Sequence, residues 1–120
     1  MNVASGTAPG EGAATLSTHV LDTTAGRPAV GVRLTLRSGD VLVAEGVTDA
    51  DGRWRAPGPL AAGRYSLTFA VADYFRAAGV ALADPPFLDE VPLHFGLAAR
   101  GHHHVPLLVA PYAYSTYRGS

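Results

Sequence analysis

The segment Val32-Arg33-Leu34-Thr35-Leu36-Arg37 decides the fold class, because apolar and polar residues alternate strictly along it. Successive side chains of a β-strand point to opposite faces, so a period of two is typical of a strand with one buried face. The same period returns from Tyr65 to Val71 and from Val91 to Leu97. The three segments therefore predict strands that turn one face toward a common core.

The remaining periodic segments are shorter and are separated by turn residues. Asp51-Gly52 favours a tight turn, because both residues tolerate left-handed dihedrals. A brief helix is predicted over Asp73 to Gly79, with Asp73 as its N-cap and Gly79 as its C-terminal stop. Further strands are predicted over residues 15–22, 41–48, from 53 onward, 102–110 and 113–117. About eight short strands and one helix indicate an all-β, antiparallel sandwich of two sheets.

The length of the chain sets its domain organisation. A chain of 120 residues is large enough for one core and too short for two. Residues 1–14 are small, polar and rich in glycine and alanine, and such a segment cannot bury enough surface to offset the entropy lost on ordering. We therefore expect a disordered N-terminal arm over 1–14 and one domain over 15–120.

The composition argues against several classes of partner. Only 16% of the residues are charged and the formal net charge is -1, so the sequence offers no basic surface for nucleic acid. No apolar stretch approaches the roughly 18 residues of a membrane span, and the first residues lack the features of a secretory signal. The chain contains no cysteine, which excludes disulfides and thiolate chemistry. A cytoplasmic location is the default expectation.

Three consecutive histidines, His102 to His104, open the C-terminal segment. On a strand, His102 and His104 share one face and His103 points the other way. The pattern is compatible with a solvated strand edge, with a metal site on the His-x-His pair, and with general acid–base chemistry. The metal site lacks an obvious third ligand. His19, inside a predicted strand, and Arg53, directly after a turn, are each most typical of ordinary structural or surface residues.

Seven short motifs follow one another along the chain. They are Leu16-Ser17-Thr18-His19-Val20-Leu21-Asp22, Gly26-Arg27-Pro28-Ala29, Asp51-Gly52-Arg53, Asp73-Tyr74-Phe75, Pro86-Phe87-Leu88, His104-Val105-Pro106-Leu107-Leu108 and Tyr114-Ser115-Thr116-Tyr117-Arg118-Gly119-Ser120. In this order they resemble the 5-hydroxyisourate hydrolases, a transthyretin-like family of urate-degrading enzymes. The likeness covers Thr15 to Ser120. Its most specific part is the Tyr-Arg-Gly-Ser ending, which the hormone carrier transthyretin lacks.

The resemblance implies a fold, an activity and a site. The fold is the transthyretin-like sandwich, and the reaction is hydrolysis of 5-hydroxyisourate to 2-oxo-4-hydroxy-4-carboxy-5-ureidoimidazoline without a metal or organic cofactor. The implied catalytic residues are His19, Arg53 and His104. The implied substrate-binding residues are Tyr117, Arg118, Gly119 and Ser120.

The resemblance also implies a homotetramer, formed as a dimer of dimers with sites between subunits. Two other classes of protein share such a sandwich. One is a transthyretin-like protein that binds a small ligand without chemistry, and the other is a structural domain of a larger assembly.

Overall fold

The computed structural model describes residues 13–119. Within this range the chain forms ten strands and a single helix, in an order that alternates short strands with tight turns. The strands are β1 (Ala14–Asp22), β2 (Arg27–Pro28), β3 (Arg33–Ser38), β4 (Val41–Val47), β5 (Arg53–Arg55), β6 (Gly63–Phe69), β7 (Val91–Leu97), β8 (Gly101–His104), β9 (Leu107–Ala110) and β10 (Ala113–Thr116), and the helix is α1 (Val71–Ala77).

The strands form two sheets. In the first, β1 is central: the order runs β10-β9-β1-β2, and β5 and β8 also pair with β1. In the second, the order is β4-β3-β6-β7, with every neighbouring pair antiparallel. The predicted two-sheet sandwich with one short helix is therefore confirmed. Strand β1 departs from the antiparallel expectation, because it runs parallel to both β8 and β9.

The core lies between the sheets and is built by the alternation seen in the sequence. Leu34 and Leu36 of β3 are buried, as are Leu67 and Phe69 of β6 and Val91 of β7. The first sheet supplies buried side chains at alternate positions of β1 and β9, among them Leu16, Val20, Leu107 and Val109. Each strand therefore presents its other face away from the core.

Several predicted boundaries shift in the structure. Strand β1 begins at Ala14, one residue before the predicted domain start, and Ala14 is fully buried. Residues 1–12 of the predicted arm lie outside the described residues. The predicted strand over residues 102–110 is divided into β8 and β9 by Val105-Pro106, where proline lacks the N–H that a ladder needs.

The helix begins earlier than predicted. Val71, expected in a strand, is the first buried residue of α1, and the N-cap is Ala70 rather than Asp73. The backbone carbonyl of Asp89 accepts a hydrogen bond from the amide of Ala72 at 3.0 Å. This amide, in the first turn of α1, therefore has a partner without a capping side chain. The predicted stop is confirmed, since the amide of Gly79 donates to the Arg76 carbonyl and that of Val80 to the Phe75 carbonyl, which is a Schellman motif.

No helix among the described residues is long and apolar enough to cross a membrane.

A buried carboxylate ties α1 to the end of β1. Asp22 is 3% exposed; its Oδ1 accepts the amides of Thr24 and Ala25 at 3.0 Å each, and its Oδ2 accepts the Tyr74 hydroxyl at 2.8 Å. Burial, and then the hydrogen bond to Asp22, raise the pKa of Tyr74 to about 12. The carboxylate thus accepts two backbone amides of the turn after β1 and, through the Tyr74 hydroxyl, holds α1 against the first sheet.

We expect Tyr74→Phe to lower the free energy of unfolding by about 1.5–3 kcal/mol, the usual effect of losing a hydrogen bond to a charged group. Urea denaturation measures the change, and Tyr112→Phe is the matched control because Tyr112 is 66% exposed. Equal stability of the two variants would show that the Tyr74 hydroxyl does not stabilise the fold.

Candidate active site

The candidate site lies on the outward face of the first sheet, where β1 is paired on both sides. In the ladders, His19 lies opposite Arg53, while Ser17 lies opposite both Arg55 and His104. Residues directly opposite each other share a face of the sheet. Because Leu16, Thr18 and Val20 are buried, the intervening Ser17 and His19 and their partners must point outward.

The turn before β5 sets the position of Arg53. Asp49 Oδ1 accepts the backbone amides of Arg53 and Asp51, both at 2.9 Å. These hydrogen bonds, with that from Arg53 the largest cause, lower the pKa of Asp49. Gly52 has a φ of +74°, and a Cβ built there would lie 2.6 Å from the Val20 carbonyl oxygen. Only glycine allows the turn to approach β1 this closely.

His104 is held between β1 and the C-terminal tail. Its Nδ1 lies 2.8 Å from Ser17 Oγ, and its backbone carbonyl accepts the amide of Gly119 at 2.8 Å. A Cβ on Gly119 would lie 2.6 Å from Cδ2 of the His104 ring. The tail therefore packs its backbone directly on the imidazole, which requires a residue without a side chain at position 119.

These residues surround a shallow depression of about 340 Å³ that is rich in nitrogen donors. Its lining consists of Ser17, Thr18, Asp49, Arg53, Trp54, Arg55, His102 and His104. Two guanidinium groups face a single carboxylate, that of Asp49, so the depression favours a polar or anionic ligand.

The electrostatics of the site favour a neutral His104. Burial is the main cause that lowers the pKa of its imidazole below 6.5, and Arg53, His19 and His102 lower it further. A neutral imidazole has one unprotonated nitrogen that can accept a proton. The arrangement can therefore combine a proton acceptor with fixed positive charge, as hydrolysis through an oxyanion requires. Within residues 13–119, no group of three or more His, Asp or Glu side chains is placed to hold a metal ion.

The structure brings together the three predicted catalytic residues. Arg53 and His104 both line the depression, and His19, although outside its lining, is paired with Arg53 and contributes to the lowered pKa of His104. His103 faces the other way, as predicted, and is 5% exposed with Nε2 3.2 Å from the Arg100 carbonyl oxygen.

The residues that the sequence predicted to bind substrate from the tail lie in two different places. Gly119 contacts His104, whereas Tyr117 and Arg118 line a separate depression with β7 and β10, and Ser120 lies outside the described residues. Sequence reasoning missed Ser17, Asp49 and Arg55, and it left His102 open among a solvated edge, a metal ligand and an acid–base group. The period of two along β1 was the available signal for Ser17, since it puts Ser17 and His19 on one face.

Comparison with known proteins identifies the family. A family model described as HIUase/Transthyretin family matches residues 16–119, which includes every described residue of the site. The chain belongs to the HIUase/Transthyretin family. A 5-hydroxyisourate hydrolase of Deinococcus radiodurans is 55% identical over 114 residues, covering 88% of this chain and 95% of that protein.

Solved structures of the HIUase/Transthyretin family agree with this fold. The 5-hydroxyisourate hydrolase of Klebsiella pneumoniae is 39% identical with a TM-score of 0.78, covering 89% of this chain and 94% of that one. Sea bream transthyretin in complex with thyroxine is 27% identical with a TM-score of 0.78, covering 87% and 93%. The backbone is thus shared by both branches, while the sequence is more similar to the hydrolases.

We expect His104 to titrate below 6.5 in the folded protein and Arg53→Gln to move its pKa upward, because one positive neighbour is removed while burial remains. NMR titration of the histidine ring protons measures both values. Arg64→Gln, on the second sheet, is the control and should leave the His104 pKa unchanged. An unchanged pKa in Arg53→Gln would show that the two side chains do not interact.

Proposed function

We propose that this chain hydrolyses 5-hydroxyisourate to 2-oxo-4-hydroxy-4-carboxy-5-ureidoimidazoline in urate degradation. The observation that carries the proposal is the placement of His19, Arg53 and His104 on one sheet face of a chain 55% identical to a 5-hydroxyisourate hydrolase. The substrate is flat and polar, with carbonyl and imide groups that match the donors of this face.

His104 is the proposed base toward water. Its lowered pKa keeps the imidazole neutral near pH 7, so the unprotonated nitrogen can take a proton as the water oxygen attacks the cyclic amide carbon. The C–N bond of the amide then breaks, and the departing nitrogen receives a proton from His19 or His104. The product gains a carboxyl group, whose proton dissociates to water to leave the carboxylate, and the histidines return to their starting protonation.

Arg53 is the proposed partner of the negative charge that develops on the carbonyl oxygen. Its guanidinium keeps its proton throughout and presents a planar pair of donors, and the turn at Asp49 fixes its backbone. Imidazole and guanidinium groups together fill every role in the hydrolysis. The proposal therefore includes no metal and no organic cofactor.

A homotetramer, formed as a dimer of dimers, is part of the proposal. The site lies on an open sheet face, and β10 at the edge of that sheet is exposed at all four positions. At that edge Tyr114 and Tyr117 are 44% and 59% exposed and line a depression with β7, although such aromatic rings are usually buried in cores or interfaces. One subunit contact at this edge would cover the two tyrosines, and another on the face of Ser17 and His104 would exclude water from His104. The substrate-binding role of Tyr117, Arg118, Gly119 and Ser120, and a cytoplasmic location, stay predictions from the sequence.

The test is a hydrolysis assay with freshly generated 5-hydroxyisourate, followed by ultraviolet absorbance against the spontaneous decay. Accelerated loss of substrate supports the enzyme. A rate equal to the spontaneous one would favour the ligand-binding class, to which the neighbouring transthyretin complex with thyroxine belongs.

We expect His104→Asn and His19→Asn each to lower kcat by about 10²–10⁴-fold, the usual contribution of a general acid or base. Both side chains face outward, so the melting temperature should change little. His94→Asn is the control, because His94 is exposed on β7 and does not line the depression. Equal turnover by His94→Asn and His104→Asn would contradict the assignment.

Gly119→Ala tests the contact between the tail and the imidazole. The added methyl group would lie 2.6 Å from His104 Cδ2, so the ring or the tail must move, and displacement by about 1 Å can cost about 10²-fold in rate. Gly96→Ala is the matched control, since a Cβ there meets nothing within 4 Å. Full activity of Gly119→Ala would show that the reaction tolerates a shifted His104.

A further inference from the structure

A continuous hydrogen-bonded chain runs along the outward face beside His104. Ser17 Oγ lies 2.8 Å from His104 Nδ1 and 2.8 Å from His102 Nε2. The other ring nitrogen of His102, Nδ1, lies 2.7 Å from Thr15 Oγ1. The backbone ladder produces this chain, because Thr15 lies opposite His102 and Ser17 opposite His104 in the parallel pairing of β1 with β8.

The single hydrogen of the Ser17 hydroxyl forces all the hydrogen bonds of this series, from His104 through Ser17 and His102 to Thr15, to point the same way. A serine oxygen carries one hydrogen, so between two imidazole nitrogens it must donate to one and accept from the other. When Ser17 accepts from His104 Nδ1–H, it donates to His102 Nε2, and His102 Nδ1–H donates to Thr15. In that arrangement Nε2 of His104 is unprotonated.

The opposite direction is equally self-consistent and has the opposite consequence. If Thr15 donates to His102 Nδ1, then His102 Nε2–H donates to Ser17 and Ser17 donates to His104 Nδ1. Nε2 of His104 then carries the hydrogen. The two directions therefore correspond to His104 as proton acceptor and His104 as proton donor, the two states that hydrolysis of an amide needs in succession.

We propose that Ser17 and His102 are positioning residues that join His104 in a proton relay across this face. The inference rests on the proposed hydrolysis. When His104 Nε2 takes a proton from the attacking water, its Nδ1 proton passes to Ser17 Oγ, and the Ser17 proton passes to His102 Nε2. His102 becomes the imidazolium, and the reverse transfer returns a proton through His104 to the departing nitrogen. The proton taken from water therefore ends on the departing nitrogen, and His104, Ser17 and His102 return to their starting protonation.

The surroundings of the two histidines favour transfer in this direction. His104 is half-buried, whereas His102 is exposed, so water can solvate a positive charge on His102 at lower cost. Burial and the neighbouring Arg53 also lower the pKa of His104, which disfavours charge at that end. The lining of the depression includes both rings and Ser17, so the relay borders the space where substrate would bind.

The first test needs no substrate. Nitrogen-15 NMR distinguishes protonated from unprotonated imidazole nitrogens, and at pH 8 we expect wild-type His104 to carry its proton mainly on Nδ1. Ser17→Ala removes only the bridging oxygen and should shift a measurable fraction of that proton to Nε2, while Ser17→Thr should keep the wild-type distribution. An unchanged distribution in Ser17→Ala would overturn the relay whether or not the protein hydrolyses 5-hydroxyisourate.

The second test is kinetic. Partners that orient an imidazole at metal centres are worth about 10–100-fold, and we expect a kcat loss of the same order for Ser17→Ala and for His102→Gln, with KM changed by less than about two-fold because neither change removes the base or Arg53. Ser17→Thr should recover most of kcat. The matched controls are Ser66→Ala and His94→Gln, a serine and a histidine that lie opposite each other in the second sheet.

The kinetic outcomes separate the parts of the proposal. Loss with Ser17→Ala but not with His102→Gln would overturn the role of His102, and loss with His102→Gln alone would overturn that of Ser17. A wild-type protein inert toward 5-hydroxyisourate would overturn the proposed function, while the NMR result would still decide whether Ser17 sets the proton position of His104. Should Ser17→Ala fail to fold, Ser17→Cys removes the strong hydroxyl donor at similar volume.

Discussion

The register of β1 is the constraint on which the rest of the structure depends. Thr18, which is fully buried, donates its hydroxyl to the Val105 carbonyl at 2.6 Å, and the Val105 amide donates to the Ser17 carbonyl at 2.9 Å. These bonds form where Val105-Pro106 separates the pairing of β1 with β8 from its pairing with β9, so they hold β1 in register across a gap in the ladder. A slip of one residue would turn Leu16 and Val20 to solvent and His19 into the core.

The same register determines the electrostatics of the candidate site. It places three histidines and two arginines on one open face, and only the carboxylate of Asp49 lines the depression among them. Burial is the main cause that lowers the pKa of His104, and the neighbouring positive groups lower it further, because like charges close together disfavour further protonation. The repulsion between Arg53 and Arg55 is tolerable because the face is open to water, where interactions between charges are weak.

The sequence predicted the parts of the fold that depend on local periodicity. Alternation located β3, β6 and β7, and Asp51-Gly52 located the turn before Arg53. The pairing of β1 with β8, by contrast, joins residues more than 80 positions apart, and no local pattern encodes a partner at that distance. The N-cap was wrong for a related reason, since the Asp89 carbonyl that accepts the Ala72 amide lies in a distant loop. His19, Arg53 and His104 were found through resemblance to a family, and strand alternation made His102 a candidate. Ser17, and its position between His102 and His104, became visible only when the ladder placed them side by side.

The division of each strand into two faces explains how one backbone serves both branches of the family. Core residues such as Leu36, Leu67 and Phe69 are fully buried and fix the distance between the sheets, so a 5-hydroxyisourate hydrolase and a transthyretin in complex with thyroxine can share the sandwich. The outward residues of β1, β5 and β8 do not fill the core, and they are therefore free to differ while the fold is kept. Chemistry on this face requires only that backbone pairing bring the correct side chains together. His104 illustrates the point, because its position follows from ladder bonds and from the close approach of Gly119, while its reactivity follows from the charges that the ladder places around it.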